Sequence, residues 1–152
     1  MKVGFAFRPE NEGFVAKAQG VELRIKFKHA VEICAAIQGR KVNDAISFLE
    51  RVIDGKTWVP FKKTKTQGGH KKGIDKWPYG KQPVKATKAV LEVLKSARSN
   101  AEFRGLNLDS CIVASAVALR SRKMLRVKPK GRHALYRVPL TTVQITVEEV
   151  NE

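Results

Sequence analysis

Residues 110–147 read SCIVASAVALRSRKMLRVKPKGRHALYRVPLTTVQITV, and not one of them is acidic. Ile112 to Leu119 is rich in small and β-branched residues, and Thr141 to Val147 alternates with Val143, Ile145 and Val147 on one side. Both patterns read as strands. Between them Lys128, Pro129, Lys130 and Gly131 read as a turn. Two arms of about sixteen residues each would form a ribbon roughly 50 Å long, far longer than one small domain requires. Its outer half must project. That half carries Arg120, Arg122, Lys123, Arg126, Lys128, Lys130, Arg132 and Arg137, interleaved with the apolar Met124, Leu125, Val127 and Leu135. A basic end that cannot be buried in its own protein requires a polyanion around it. Two or three lysines would suffice to discourage edge pairing, whereas eight cations with apolar partners read as a contact surface.

The charge of the rest of the chain is segregated in the same way. Of the net charge of +16, residues 55–91 hold ten lysines against the single Asp75, and the chain outside this segment and residues 110–147 is almost neutral. Uniform basicity could serve solubility, but two segments of one sign on a neutral body point to nucleic acid. A membrane surface fits less well, since neither segment forms an amphipathic helix with a bulky apolar face. No run is long and apolar enough to span a membrane, and Met1 to Phe14 lacks the order of a secretory signal, so a cytosolic chain is expected. Cys34 and Cys111 are too few for a disulfide framework, and His29, His70 and His133 form no ligand spacing with them. Core cysteines and no metal are expected.

The 152 residues are read as one domain. The globular part covers about 15–119 and 138–150, the projecting hairpin about 120–137, and a basic loop about 56–82. Val21, Leu23, Ile25 and Phe27 alternate with charged residues, which predicts a half-buried strand. Ala30, Ile33, Cys34 and Ile37 then recur at helical spacing up to Gly39. Val42, Ala45, Ile46, Leu49, Val52 and Ile53 mark a second helix stopped by Gly55. Pro83 suits the start of a third helix, with Ala86, Val90, Val93, Leu94, Ala97 and Ala101 as its buried stripe and Gly105 at its end. The expected fold is α+β: three helices packed on a small antiparallel sheet, with a long projecting β-hairpin.

No catalytic signature survives inspection. The Gly68 to Gly73 cluster lacks a preceding buried strand and the spacing of a phosphate loop. Ser110 and Ser115 have no His nearby in sequence, and the adjacent Glu148 and Glu149 would point to opposite sides of a strand. No enzyme activity and no cofactor are expected. Lysines of the loop can neutralise phosphates, and Trp58, Trp77 and Tyr79 offer stacking faces. The same aromatics could equally pin the loop onto the helical layer, a role that suits Trp58 best because it follows a core helix.

Several short motifs, in order, resemble one family. They are Val59-Pro60-Phe61; Pro83-Val84-Lys85-Ala86; Leu94-Lys95-Ser96-Ala97; Asn100-Ala101-Glu102; Gly105-Leu106 with Asp109; Lys123-Met124; and Gly131-Arg132. From about Val15 to Glu149 the chain resembles the large-subunit ribosomal protein family numbered twenty-two in bacteria and seventeen in eukaryotes. The loop, with Gly69-His70 and Gly80, is similar to archaeal and eukaryotic members. The resemblance implies a structural, non-catalytic protein of the cytosolic large ribosomal subunit, with a hairpin that penetrates ribosomal RNA and helps line the nascent-peptide exit tunnel.

On this reading the contacts to ribosomal RNA are Lys62, Lys63, Lys65, His70, Lys71, Lys72, Lys76, Lys81 and Lys85 from the loop and the third helix, and Arg120, Arg122, Lys123, Arg126, Lys128, Lys130, Arg132 and Arg137 from the hairpin. The tunnel-side tip is Arg126, Val127, Lys128, Pro129, Lys130, Gly131, Arg132 and His133. The partners implied are large-subunit ribosomal RNA, neighbouring large-subunit proteins and the nascent polypeptide, with no membrane insertion. The residues alone leave two other readings open: a non-ribosomal RNA- or DNA-binding module, and an interaction or enzyme module whose basicity is incidental.

Overall fold

Helices form where the apolar spacing predicts them. In the computed structural model, which describes residues 4–9, 12–64, 69–74, 77–129 and 134–150, α1 is Phe27–Ile37, α2 is Val42–Ile53 and α3 is Val84–Phe103. Each is stopped by a glycine in the left-handed region, Gly39, Gly55 and Gly105 respectively, the conformation that a side chain disfavours. Pro83 sits at the N-cap of α3, where its carbonyl accepts from both the backbone and the hydroxyl of Thr87.

Three strands form the main sheet: β1 (Val15–Leu23), β4 (Cys111–Val127) and β5 (Leu135–Glu149). All pairs are antiparallel, and the order β1-β5-β4 makes β5 the central strand. Two further short strands, β2 (Val59–Pro60) and β3 (Gly80–Lys81), pair with each other inside the basic loop.

The core lies between one face of the sheet and the helices. Val143, Ile145 and Val147 are fully buried there, with Ala16, Val113 and Cys111 beside them and Ile33, Ile37, Leu49, Val90 and Leu94 above. Each fully buried Val or Ile side chain stabilises the fold by roughly 1.5–3 kcal/mol. Small residues bring α3 close. A Cβ built on Gly20 of β1 would lie 2.6 Å from Val93 Cγ2, so the approach of α3 requires glycine there.

The strand expected over Val21 to Phe27 is corrected. β1 begins earlier, at Val15, and ends at Leu23, while Phe27 opens α1. The apparent alternation joined a bulge, a turn and a helix start. Between Gly20 and Leu23 the register with β5 slips, Glu22 adopts φ 54°, and Ile25 N–H turns back onto the Leu23 carbonyl at 2.8 Å. Val21 is consequently 53% exposed. Ala16, Ala18 and Gly20 gave the true strand a weaker pattern than its false successor.

The opposite face of β5 is buried as well. Thr142, Gln144 and Thr146 are almost inaccessible, and the N-terminal segment is hydrogen-bonded to the middle one, Gln144. Gln144 accepts from Ala6 N–H through Oε1 and donates through Nε2 to the Gly4 carbonyl, both at 2.9 Å. The central strand is therefore covered on both sides, a property that its Thr/Gln alternation hides.

Beyond Leu140 the cover ends. β4 and β5 continue as a two-stranded ribbon from Lys123↔Pro139 to Val127↔Leu135, and Lys128 N–H reaches the Ala134 carbonyl at 3.0 Å. The register slips between Arg120 and Lys123, which inserts one extra residue into β4 where the ribbon leaves the body. Pro139 is tolerated because β1 has already stopped, so β5 has a free edge there.

Candidate nucleic-acid interface

Residues opposite one another on an antiparallel ribbon share a side. One side of the hairpin thus presents Lys123, Leu125 and Val127 with Pro139, Arg137 and Leu135, and the other presents Met124 and Arg126 with Val138 and Tyr136. Both sides mix cations with apolar surface. Val127 is 73% exposed and Tyr136 57%, so neither side has a core to cover it. Tyr136, opposite Arg126, is an aromatic that the sequence reading passed over; its place among alternating strand residues was the available signal.

The hairpin cations are not equivalent. Arg122 forms a two-pronged pair with Glu22, Nε to Oε1 at 2.8 Å and Nη2 to Oε2 at 2.9 Å. Arg120 lies over the Phe27 ring, 4.7 Å from its centre. Lys123, Arg126, Lys128 and Arg137 are exposed. Lys130, Gly131, Arg132 and His133, four of the eight tip residues named above, lie outside the described residues, as do Lys65 and Lys76 of the loop.

The loop is built around one buried carboxylate. Glu32 of α1 is only 1% exposed and accepts three backbone N–H groups, from Lys62 at 3.0 Å, Lys63 at 2.9 Å and Thr64 at 2.7 Å. This holds the main chain while the Lys62 and Lys63 side chains stay in solvent. The aromatics complete the staple. Trp77 Nε1 donates to the Phe61 carbonyl at 2.9 Å, Tyr79 packs edge-on to His70 and Trp77, and Lys71 Nζ sits 4.4 Å from the centre of the Trp58 ring. All three aromatics are thus engaged with the loop itself. Lys72 and Lys85 are exposed, and Lys81 is half-buried near Phe61.

The loop and the hairpin root meet at an open cleft of about 700 Å³. Its walls are Lys26, Phe27, Lys28, His29, Phe61, Thr64, Lys81, Arg120, Ser121, Lys123, Pro139 and Leu140, with no carboxylate among the described lining residues. The start of α1 opens into it; the N-cap Lys26 supplies no side-chain cap and the first turn has no acidic residue, leaving the positive helix end uncompensated. His29 packs edge-on to Phe61 at 5.6 Å. Burial, and then the charges of Lys26 and Lys81, hold its pKa below the ordinary imidazole value. Lys26, Lys28 and His29 were missed because the sequence assigned the first two to the solvent face of a strand.

The cysteines are core groups. Burial pushes the Cys34 thiol up to about 12, and burial followed by the Glu149 charge raises that of Cys111. Neither is poised as a nucleophile.

Residues 18–148 match the family model described as Ribosomal protein L22p/L17e. The chain belongs to that family. This L22p/L17e member is 42% identical to the large ribosomal subunit protein uL22 of Archaeoglobus fulgidus, over 97% of this chain and 96% of that one. It is 36% identical to the uL22 of Methanocella arvoryzae over 98% of both chains, and 38% identical to that of Methanocaldococcus jannaschii over 88% and 87%. It is a ribosomal protein of the archaeal type.

Proposed function

We propose that this L22p/L17e member is a structural constituent of the large subunit of the cytosolic ribosome. It binds large-subunit ribosomal RNA through the hairpin and the β2–β3 loop, meets neighbouring large-subunit proteins, and helps line the nascent-peptide exit tunnel with the hairpin tip. The observation that carries this reading is the acid-free ribbon, which leaves the body with cations, aliphatics and Tyr136 exposed on both sides. Such a surface satisfies phosphates and unstacked bases together. The stapled loop supports the reading, since its fixed backbone presents Lys62 and Lys63 outward at little further ordering cost.

Sedimentation of tagged protein is the direct test. Residence in the large-subunit peak at moderate salt, with RNA crosslinks at residues 120–137, is expected; a peak at the top of the gradient contradicts the reading. If the free protein neutralises six to ten phosphates, its RNA affinity should fall roughly 10³- to 10⁵-fold between about 50 and 200 mM salt.

A further inference from the structure

The cleft between α1, the loop and the hairpin root is more than a basic patch, because it is both concave and amphipathic. Its volume, about 700 Å³, lies in the range of pockets that enclose a small organic group. Phe27, Phe61, Pro139 and Leu140 provide apolar wall, while Lys26, Lys28, Lys81, Arg120 and Lys123 stand around it. The bulge in β4 matters here. Strict alternation would turn residues 120 and 123 to opposite sides of the strand. Yet Arg120 and Lys123, opposite Thr141 and Pro139, share the side that faces the cleft, while the Ser121 hydroxyl turns away to Thr142 Oγ1 at 2.6 Å. Arg122 is drawn out to Glu22 instead.

We infer that this cleft takes one unpaired, extrahelical RNA nucleotide, its base against the Phe27–Pro139–Leu140 wall and its phosphates among Lys26, Lys81 and Lys123. The inference rests on the RNA-binding reading above and names what that surface selects. A continuous duplex offers only phosphates to a concave site, and its stacked bases cannot enter. A displaced nucleotide supplies both the flat apolar group and the anion that the lining calls for. The guanidinium of Arg120, over the Phe27 ring with Cζ 4.7 Å from its centre, adds a planar cation on which a base can stack.

The test uses the full chain and three RNA duplexes of one sequence: perfectly paired, with one bulged 2-aminopurine, and with an abasic residue at the bulge. Fluorescence anisotropy at fixed salt should give about tenfold tighter binding to the base-bearing bulge than to either other duplex. Thr64→Trp, which fills the cleft, should bring the ratio close to one. Arg120→Ala, which removes a side chain from the rim, should lower it, with thermal melts confirming that each variant is folded. Equal affinity for bulged and perfect duplexes overturns the inference and leaves the RNA-binding reading standing. An abasic bulge bound as tightly as the base-bearing one overturns it too, by showing that only the phosphates are read. Failure to bind any of the three overturns both readings.

Discussion

Arg122 and Arg126 stand four positions apart on β4 and have different partners. Arg122 is already engaged by Glu22, so its contribution to an external polyanion is reduced by the charge it neutralises. Arg126 projects from the ribbon with Tyr136 opposite. Arg126→Ala should therefore flatten the log–log dependence of RNA affinity on salt by about one ion, and Arg122→Ala by clearly less. Equal changes of slope would show that the Glu22 pair opens on binding. His29 carries a second prediction. Because its folded pKa is lowered, the native chain takes up this proton later than the unfolded chain on acidification. Stability should be flat above the ordinary value of 6.5, decline below it, and level off once the pH passes the folded value. Lys26 and Lys81, whose charges add to burial in opposing protonation, line the same cleft. A bound phosphate would offset them, so NMR titration of the ring protons should give a higher pKa with RNA than without; an unchanged value would mean that no anion enters.

At the scale of elements, Glu32 decides whether the basic loop has a shape. Its carboxylate gathers three N–H groups inside the protein, and removing an acceptor from a buried donor costs about 1–3 kcal/mol. Glu32→Gln, which sets an NH₂ against those donors, should lower unfolding free energy by about that amount in denaturant titrations. It should also speed amide exchange at Lys62, Lys63 and Thr64. Unaltered exchange there would place the ordering of the loop in its aromatics instead. Such an interaction is hard to read from a sequence, in which Glu32 is one acidic residue beside the apolar stripe of α1. The helices themselves were legible, because Ala30, Ile33, Cys34 and Ile37, and the stripes of α2 and α3, repeat with the helical period. β1 was not, since Ala16, Ala18 and Gly20 are too small to mark a face and the bulge at Glu22 spoils the phase. The two basic surfaces were legible as charge, but the cleft joining them was not. It depends on α1 beginning at Phe27 and on one extra residue in β4.

Across the whole molecule, order should follow burial. The helices and the inner sheet share one core, while the ribbon beyond Leu140 has none. In the free protein, amides of α1 to α3 and of Val143 to Val147 should exchange slowly and those of residues 121–127 quickly. Strong protection of the outer ribbon would mean that it packs on something within the chain.

The place of β5 in the sheet also imposes a sequence in time. It is the central strand and the last in chain order, and it forms every ladder of the main sheet, with β1 on one side and β4 on the other. The N-terminal strap rests on Gln144 of the same strand. During synthesis the three helices can therefore leave the ribosome and gather first, but β1 and the strap must wait for a partner made more than a hundred residues later. The sheet closes only when the translating ribosome has released that final strand.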